Sequence, residues 1–327
     1  MKIYITLDYE LFFGPQSGTV DKCIIEPTKA LLEILEPYGI KANFFVDSGY
    51  LVALERQKEE YGELQEDYEK IIEQIRYLAS KEHGIELHIH PHWEDSFYNG
   101  RRWVFNTERY RLADFDKDEV MDIVDRYIEV LCRITNKKPV AYRAGGWSAQ
   151  PFDHIRDALK VNGVLIDSTV FPKGYYKSRN QVFDFRQVPQ YKTEYYFEDD
   201  LTKEVTNGSF KEIPISSTLV SPIFYWKFAK AKFFGKKEHK AYGNGSAIAL
   251  DRMEMFKFML FPSYSVVSMD GYKARLMKRA LRQYNQKTGG KGNFVLIGHP
   301  KAFTPYSLNK MRDFLEMSHN IHTYITF

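Results

Sequence analysis

Residues 84–93 read GIELHIHPHW. The run GIELHIH (84–90) predicts a strand, and it ends in three imidazoles, His88, His90 and His92, around Pro91. In an extended segment alternate side chains point the same way, so the three are expected on one side unless Pro91 turns the chain. A (β/α) barrel gathers its working side chains at the C-terminal ends of its strands. The question is therefore whether other predicted strands end in the same manner.

They do. KIYITL (2–7) is followed by Asp8 and Glu10, and PVAYRA (139–144) carries Arg143 near its end. VLID (164–167) closes in Asp167, and NFVLIG (293–298) runs into His299. Packing alone does not produce five strand ends that each close in an ionisable group. Helices are predicted between the strands. One covers about 27–37, with Pro27 suited to the first turn. Another covers about 52–81, and a third about 117–135, capped by Asp116. The rest fall at about 151–161, 271–285 and 306–317, with further strands KANFFV (41–46) and IHTYIT (321–326).

Strand and helix thus alternate through most of the chain, which argues for a parallel α/β fold. Seven or eight strands fit a distorted or incomplete (β/α)7-8 barrel better than an open doubly wound sheet. Residues 1–327 read as a single domain. Residues 173–250 break the alternation, are rich in Tyr, Phe and Lys, and hold short strand-like runs such as EIPIS (212–216). They read as an elaborated insertion. No internal repeat and no dinucleotide- or phosphate-binding glycine fingerprint is present.

Composition narrows the partners. With 44% hydrophobic and 27% charged residues the chain reads as an ordinary soluble protein. A net charge of +3 is too small to suggest nucleic acid. Cys23 and Cys132 have no metal-site or redox spacing. Residues 2–7 already read as a strand, leaving no room for a leader, so the expected location is the cytoplasm. No window approaches the roughly 18–20 apolar residues of a membrane span. The 24 Phe, 23 Tyr and 4 Trp offer flat apolar faces of the kind that stack on sugars, though such rings also serve ordinary surfaces.

Three crowded histidines with Asp8 and Glu10 on a neighbouring strand end point to a metal, since zinc accepts neutral imidazole nitrogens at about 2.0–2.1 Å. Here the sequence resembles the polysaccharide deacetylases (NodB-homology, carbohydrate esterase 4), and in detail those of bacterial surface-polysaccharide biosynthesis. TLDYE (6–10) is similar to the family's TFDDG motif, and GIKANFFV (39–46) to the stretch after its first helix. His88 and His92 match its H-x-x-x-H metal pair. YRAGGWS (142–148), IDSTVFP (166–172) and VLIGHP (295–300) resemble its arginine, fourth and final motifs. One departure is Tyr9 in place of the second aspartate of the motif, followed by Glu10.

The resemblance implies a metal-dependent hydrolase removing acetyl groups from N-acetylated sugars. An O-acetyl esterase, or an inactive glycan-binding relative, are the alternatives. It implies a divalent transition metal, zinc before cobalt or nickel, on Glu10, His88 and His92. Asp8 would be the base, with the exchange of the Asp8 and Glu10 roles left open. Arg143 would orient Asp8, and His299 would be the acid, held by Asp167. His90 would stand behind the ligands. Trp93, Gly145, Gly146 and Trp147 are expected against the substrate, the two glycines letting backbone approach it closely.

Residues 222–240, PIFYWKFAKAKFFGKKEHK, carry six lysines, one glutamate and six aromatics. Three readings stand open: a lid over a sugar groove, a surface helix without a role, or a peripheral contact with anionic lipid that would suit a lipid-linked glycan.

Overall fold

The computed structural model describes residues 1–248 and 252–327. The fold is mixed α/β, with a curled, mostly parallel sheet of the distorted, incomplete barrel type. Its strands are β1 (Lys2–Tyr9), β2 (Asn43–Asp47), β3 (Gly84–Ile89), β4 (Ala141–Ala144), β5 (Ile166–Asp167), β6 (Tyr195–Phe197), β7 (Phe210–Glu212), β8 (Asn293–Gly298) and β9 (Thr323–Tyr324). The helices are α1 (Glu26–Leu35), α2 (Ser48–Gln57), α3 (Gly62–Ser80), α4 (Lys117–Thr135), α5 (Arg156–Val161), α6 (Pro222–Phe234), α7 (Arg252–Leu260), α8 (Met277–Thr288) and α9 (Pro305–Ser318).

The local chemistry accounts for most of these bounds. Seven of the eight β1 residues are buried, as in a strand covered on both faces. α4 starts from a reciprocal cap: Asp116 accepts the Glu119 N–H at 2.8 Å and Glu119 accepts the Asp116 N–H at 3.0 Å. The helix expected over 52–81 is two helices, α2 and α3. Tyr61 between them is extended, and the following Gly62 is a poor helix former. Of the run 212–216 only Glu212 lies in a strand, because Pro214 has no N–H for a ladder.

Two compact units divide the chain: Met1–Lys41 with Ile215–Ile325, and Ala42–Pro214 with Thr326–Phe327. In the first, β1 pairs in parallel with β8, from Lys2↔Asn293 to Leu7↔Gly298, and with β9. In the second, the order is β2-β3-β4-β5-β7-β6, parallel throughout except for the antiparallel β6–β7 pair.

The segment expected as an insertion, 173–250, contributes to both units, and its last two residues lie outside the described ones. Part of it is woven into the first unit. Ser216 donates its N–H to the Val295 carbonyl (3.0 Å), and its Oγ accepts the Val295 N–H (2.9 Å). Residues 217–220 then pair with 263–266 in a ribbon.

Candidate metal centre and active site

In the first unit, the parallel register of β1 and β8 ends at Leu7↔Gly298, so the next residues, Asp8 and His299, emerge side by side. His299 Nε2 lies 3.5 Å from Asp8 Oδ2 and 3.9 Å from Glu10 Oε1. Its other ring nitrogen, Nδ1, is 2.8 Å from Asp270 Oδ2, and its backbone N–H donates to Asp270 Oδ1 at 2.8 Å. Burial by itself would lower the imidazole pKa. The Asp270 and Asp8 carboxylates outweigh burial and push it up to about 10. The buried Lys301 donates to Glu10 Oε1 (2.9 Å) and to the Leu11 carbonyl.

The carboxylate on the His299 ring is therefore Asp270 and not the expected Asp167. Asp270 arrives there because residues 267–269 run beside β8, with Met269 N–H on the Ile297 carbonyl (2.8 Å) and Ile297 N–H on the Val267 carbonyl (3.2 Å). Asp270 and Lys301 are the two residues that sequence reasoning missed. A signal for Asp270 exists: SVVSMD (265–270) is another apolar run that closes in an acid.

In the second unit, Asp47, His88 and Arg143 are register partners across β2, β3 and β4, which sets them in one row on one face. His88 Nδ1 is 2.9 Å from the Arg143 carbonyl. Only a protonated Nδ1 can donate there, so this contact fixes the ring's orientation and puts a proton on Nδ1. The Arg143 guanidinium is fully buried over the Phe45 ring, 4.1 Å from its centroid, and donates to the Ser168 carbonyl (2.8 Å) and Oγ (3.2 Å).

Asp167 accepts from the Thr169 N–H and hydroxyl, each at 2.9 Å. Its register partner on β7 is Glu212. Burial pushes the Glu212 carboxyl well above its ordinary range, and the Asp167 charge beside it adds to the shift; burial raises Asp167 as well.

The remaining expected residues lie nearby on the same unit. His90 stands edge-on to His88, with ring centroids 4.8 Å apart. A Cβ on Gly145 would meet the His90 ring at 2.5 Å, so this glycine makes room for an imidazole. Gly146 (φ +57°) and Trp147 (φ +58°) are both left-handed, a conformation costly for tryptophan. The half-buried Trp147 ring meets Phe171 and Phe183, and its indole N–H has no hydrogen-bond acceptor among the described residues. His92 stacks on Tyr110 (5.7 Å, 8°) and Trp93 (5.6 Å, 23°). Trp93, expected at the substrate, is fully buried and donates its indole N–H to Asp47 at 2.6 Å. A ring with no exposed face cannot stack on a sugar.

Among the described residues, buried side chains of a type that could hold a metal ion include Glu10 in the first unit and His88 and His90 in the second. Two members are those expected; the third is His90, where the sequence pointed to His92. Two imidazoles and a carboxylate, without thiolate, form a donor set of the catalytic zinc type.

Comparison with family models finds no match. Among curated proteins none matches either. Solved structures do match. A Mycobacterium smegmatis protein whose name assigns it as a polysaccharide deacetylase aligns over 99% of this chain and 85% of its own, with TM-score 0.50 and 18% identity. A GH57 branching enzyme from Thermococcus kodakaraensis aligns over 99% of this chain and 70% of its own, with TM-score 0.51 and 12% identity. In fold the chain is thus similar to both of these proteins over nearly its full length, at low sequence identity.

Proposed function

We propose that the protein is a metal-dependent hydrolase that removes acetyl groups from an N-acetylated sugar of a surface polysaccharide or its precursor. The observation that carries this reading is the chemistry of the buried donors, Glu10 in the first unit and the paired imidazoles His88 and His90 in the second. The donor set favours zinc, with cobalt or nickel as substitutes. His90 takes the ligand role that spacing had suggested for His92. Bound there, the metal would polarise the amide carbonyl and acidify a water.

The chain's own residues supply the proton transfers. Asp8 takes the proton of the attacking water. His299, kept charged by Asp270 and Asp8, delivers a proton from Nε2 to the departing amine, which leaves poorly without one. The Arg143 carbonyl fixes the His88 ring, and the Arg143 guanidinium ties β4 to the segment after β5. In this reading a backbone N–H near Trp147, where Gly146 and Trp147 are both left-handed, would meet the developing oxyanion. Asp167, shared with Glu212, serves the packing of β5 on β7 and not the acid.

The test is acetate release from a short chitin oligomer by the zinc-loaded protein, with elemental analysis of protein purified without chelator. Expected are one metal ion per chain and turnover lost on chelation and restored by zinc. Release from O-acetylated xylan but not from chitin would favour the esterase reading. Absence of stoichiometric metal, with no rescue by zinc, would sink both.

A further inference from the structure

The helix α6 has apolar side chains on two sides, and the fold uses only one. On the inner side Phe224 is buried in a cluster with Val220 and Leu276, while Tyr225, Phe228 and Tyr272 pack against it. Tyr225 stacks on Phe258 of α7 at 5.3 Å, and Trp226 donates its indole N–H to the Met259 carbonyl at 3.1 Å. These contacts fix α6 and α7 to each other and to the body of their unit. Phe224 and Phe228 are thus packing residues of the fold.

The other side remains open. Ile223 (65% exposed), Trp226 (58%), Phe233 (74%), Phe234 (85%), Leu260 (64%) and Phe261 (64%) leave large apolar surfaces in water. A surface helix needs one apolar stripe to hold it down. A second stripe, joined to two phenylalanines and the end of a neighbouring helix, marks an interaction site. The same stretch exposes Lys227, Lys230, Lys232, Lys236, Lys237 and Lys240, against the single acid Glu238. Among the described residues none of these six lysines is in an ion pair.

We propose that this face docks on an anionic lipid surface. Two features of its chemistry decide the occupant. Protein–protein interfaces are depleted in lysine, so a face this rich in it fits a protein partner poorly. Interfacial helices have the opposite signature: Trp, Phe and Leu enter the headgroup boundary while lysines meet anionic headgroups. Tryptophan and long lysine stems suit that boundary, the ring being amphipathic and the stem able to lie along apolar surface with its charge in water. No described helix is long and apolar enough to cross a membrane, so the contact is peripheral. The lipid contact rests on surface features alone and stands whether or not the metal site is active.

Sedimentation of the full chain with vesicles tests it. One set is phosphatidylcholine alone, and the other contains phosphatidylglycerol as about a third of the lipid. The protein is expected to bind the anionic set and to be released by salt. Phe233→Ser with Phe234→Ser, and separately Lys230→Gln with Lys232→Gln and Lys236→Gln, should each weaken binding about tenfold or more. All five side chains are exposed, so the melting temperature should hold. The proposal is overturned by absence of binding to anionic vesicles, or by equal binding to both sets. It is equally overturned if these substitutions dissolve a dimer, or cut turnover of a short sugar while vesicle binding persists.

Discussion

Asp270 grips His299 twice, accepting from its backbone N–H and from its ring Nδ1, each at 2.8 Å. The grip fixes the ring so that Nε2 faces Asp8, and it helps hold the imidazole charged. A charged imidazole favoured by the fold contributes stability below its unfolded pKa of about 6.5, and that contribution fades as pH rises towards 10.

Asp270→Asn should therefore change the pH profile as well as the rate. The acid is active when protonated, so the alkaline limb of kcat/KM marks its loss. Removing the negative charge lowers the His299 pKa and moves that limb towards neutral pH. The rate at the optimum should fall about 10²-fold, within the usual range for a positioned acid. An alkaline limb that stays in place would mean that His299 is not the acid, or that Asp270 does not tune it.

His90→Ala and His92→Ala should separate a ligand from a packing residue. His90→Ala should weaken metal binding by more than the 10–100-fold typical of an outer partner. His92→Ala should keep one metal per chain but lower the melting temperature, since it removes the stack on Trp93 and Tyr110. Metal titration with a competing chelator reads both. The reverse pattern would restore His92 as the ligand.

Gly145→Ala offers a subtler route to the same site. Its new methyl would stand 2.5 Å from the His90 ring, which must turn away. Metal affinity should drop at least tenfold with the helices intact by circular dichroism. Unchanged affinity would show that the His90 position is not what binds the ion.

Glu86 makes a prediction about stability alone. It is buried on β3, and one carboxylate oxygen accepts both the Val140 N–H (2.9 Å) and the Ala141 N–H (2.8 Å). Burial outweighs those bonds and raises its pKa to about 7. A raised carboxyl pKa means that the fold prefers the protonated form, so stability declines as pH climbs from about 4.5 to 7. Glu86→Gln keeps a single oxygen for both donors and carries no charge. At pH 8 it should be more stable by on the order of 1–3 kcal/mol in urea unfolding, and at pH 5 the gain should nearly vanish. Equal gains at both pH values would contradict the shift.

The parts of the fold that the sequence made legible are those governed by local rules. The Asp116 cap of α4 and the apolar run of β8 announce themselves within a few residues. The apolar runs likewise put Asp8, His88 and His299 at or just beyond the ends of β1, β3 and β8. Other features depend on contacts that spacing does not encode. Alternation of side chains holds only within a strand, and β3 stops at Ile89 before Pro91–Asp95 tightens into a 3-10 turn. The rule that grouped His92 with His88 therefore did not reach it. Asp270 was hidden because its run lies in the irregular part of the chain, where β8 supplies the alignment. Phe224 could not be told from Phe233 by pattern, since lysines fall all around α6.

The row of Asp47, His88 and Arg143 depends on three strands keeping step. A slip of one residue turns every side chain of a strand to the opposite face. Inserting one residue between 84 and 87 would thus point His88 away from its partners while leaving every proposed ligand in the chain. Such a lesion would spare each motif on paper and still empty the site, so a screen that only substitutes residues would never find it.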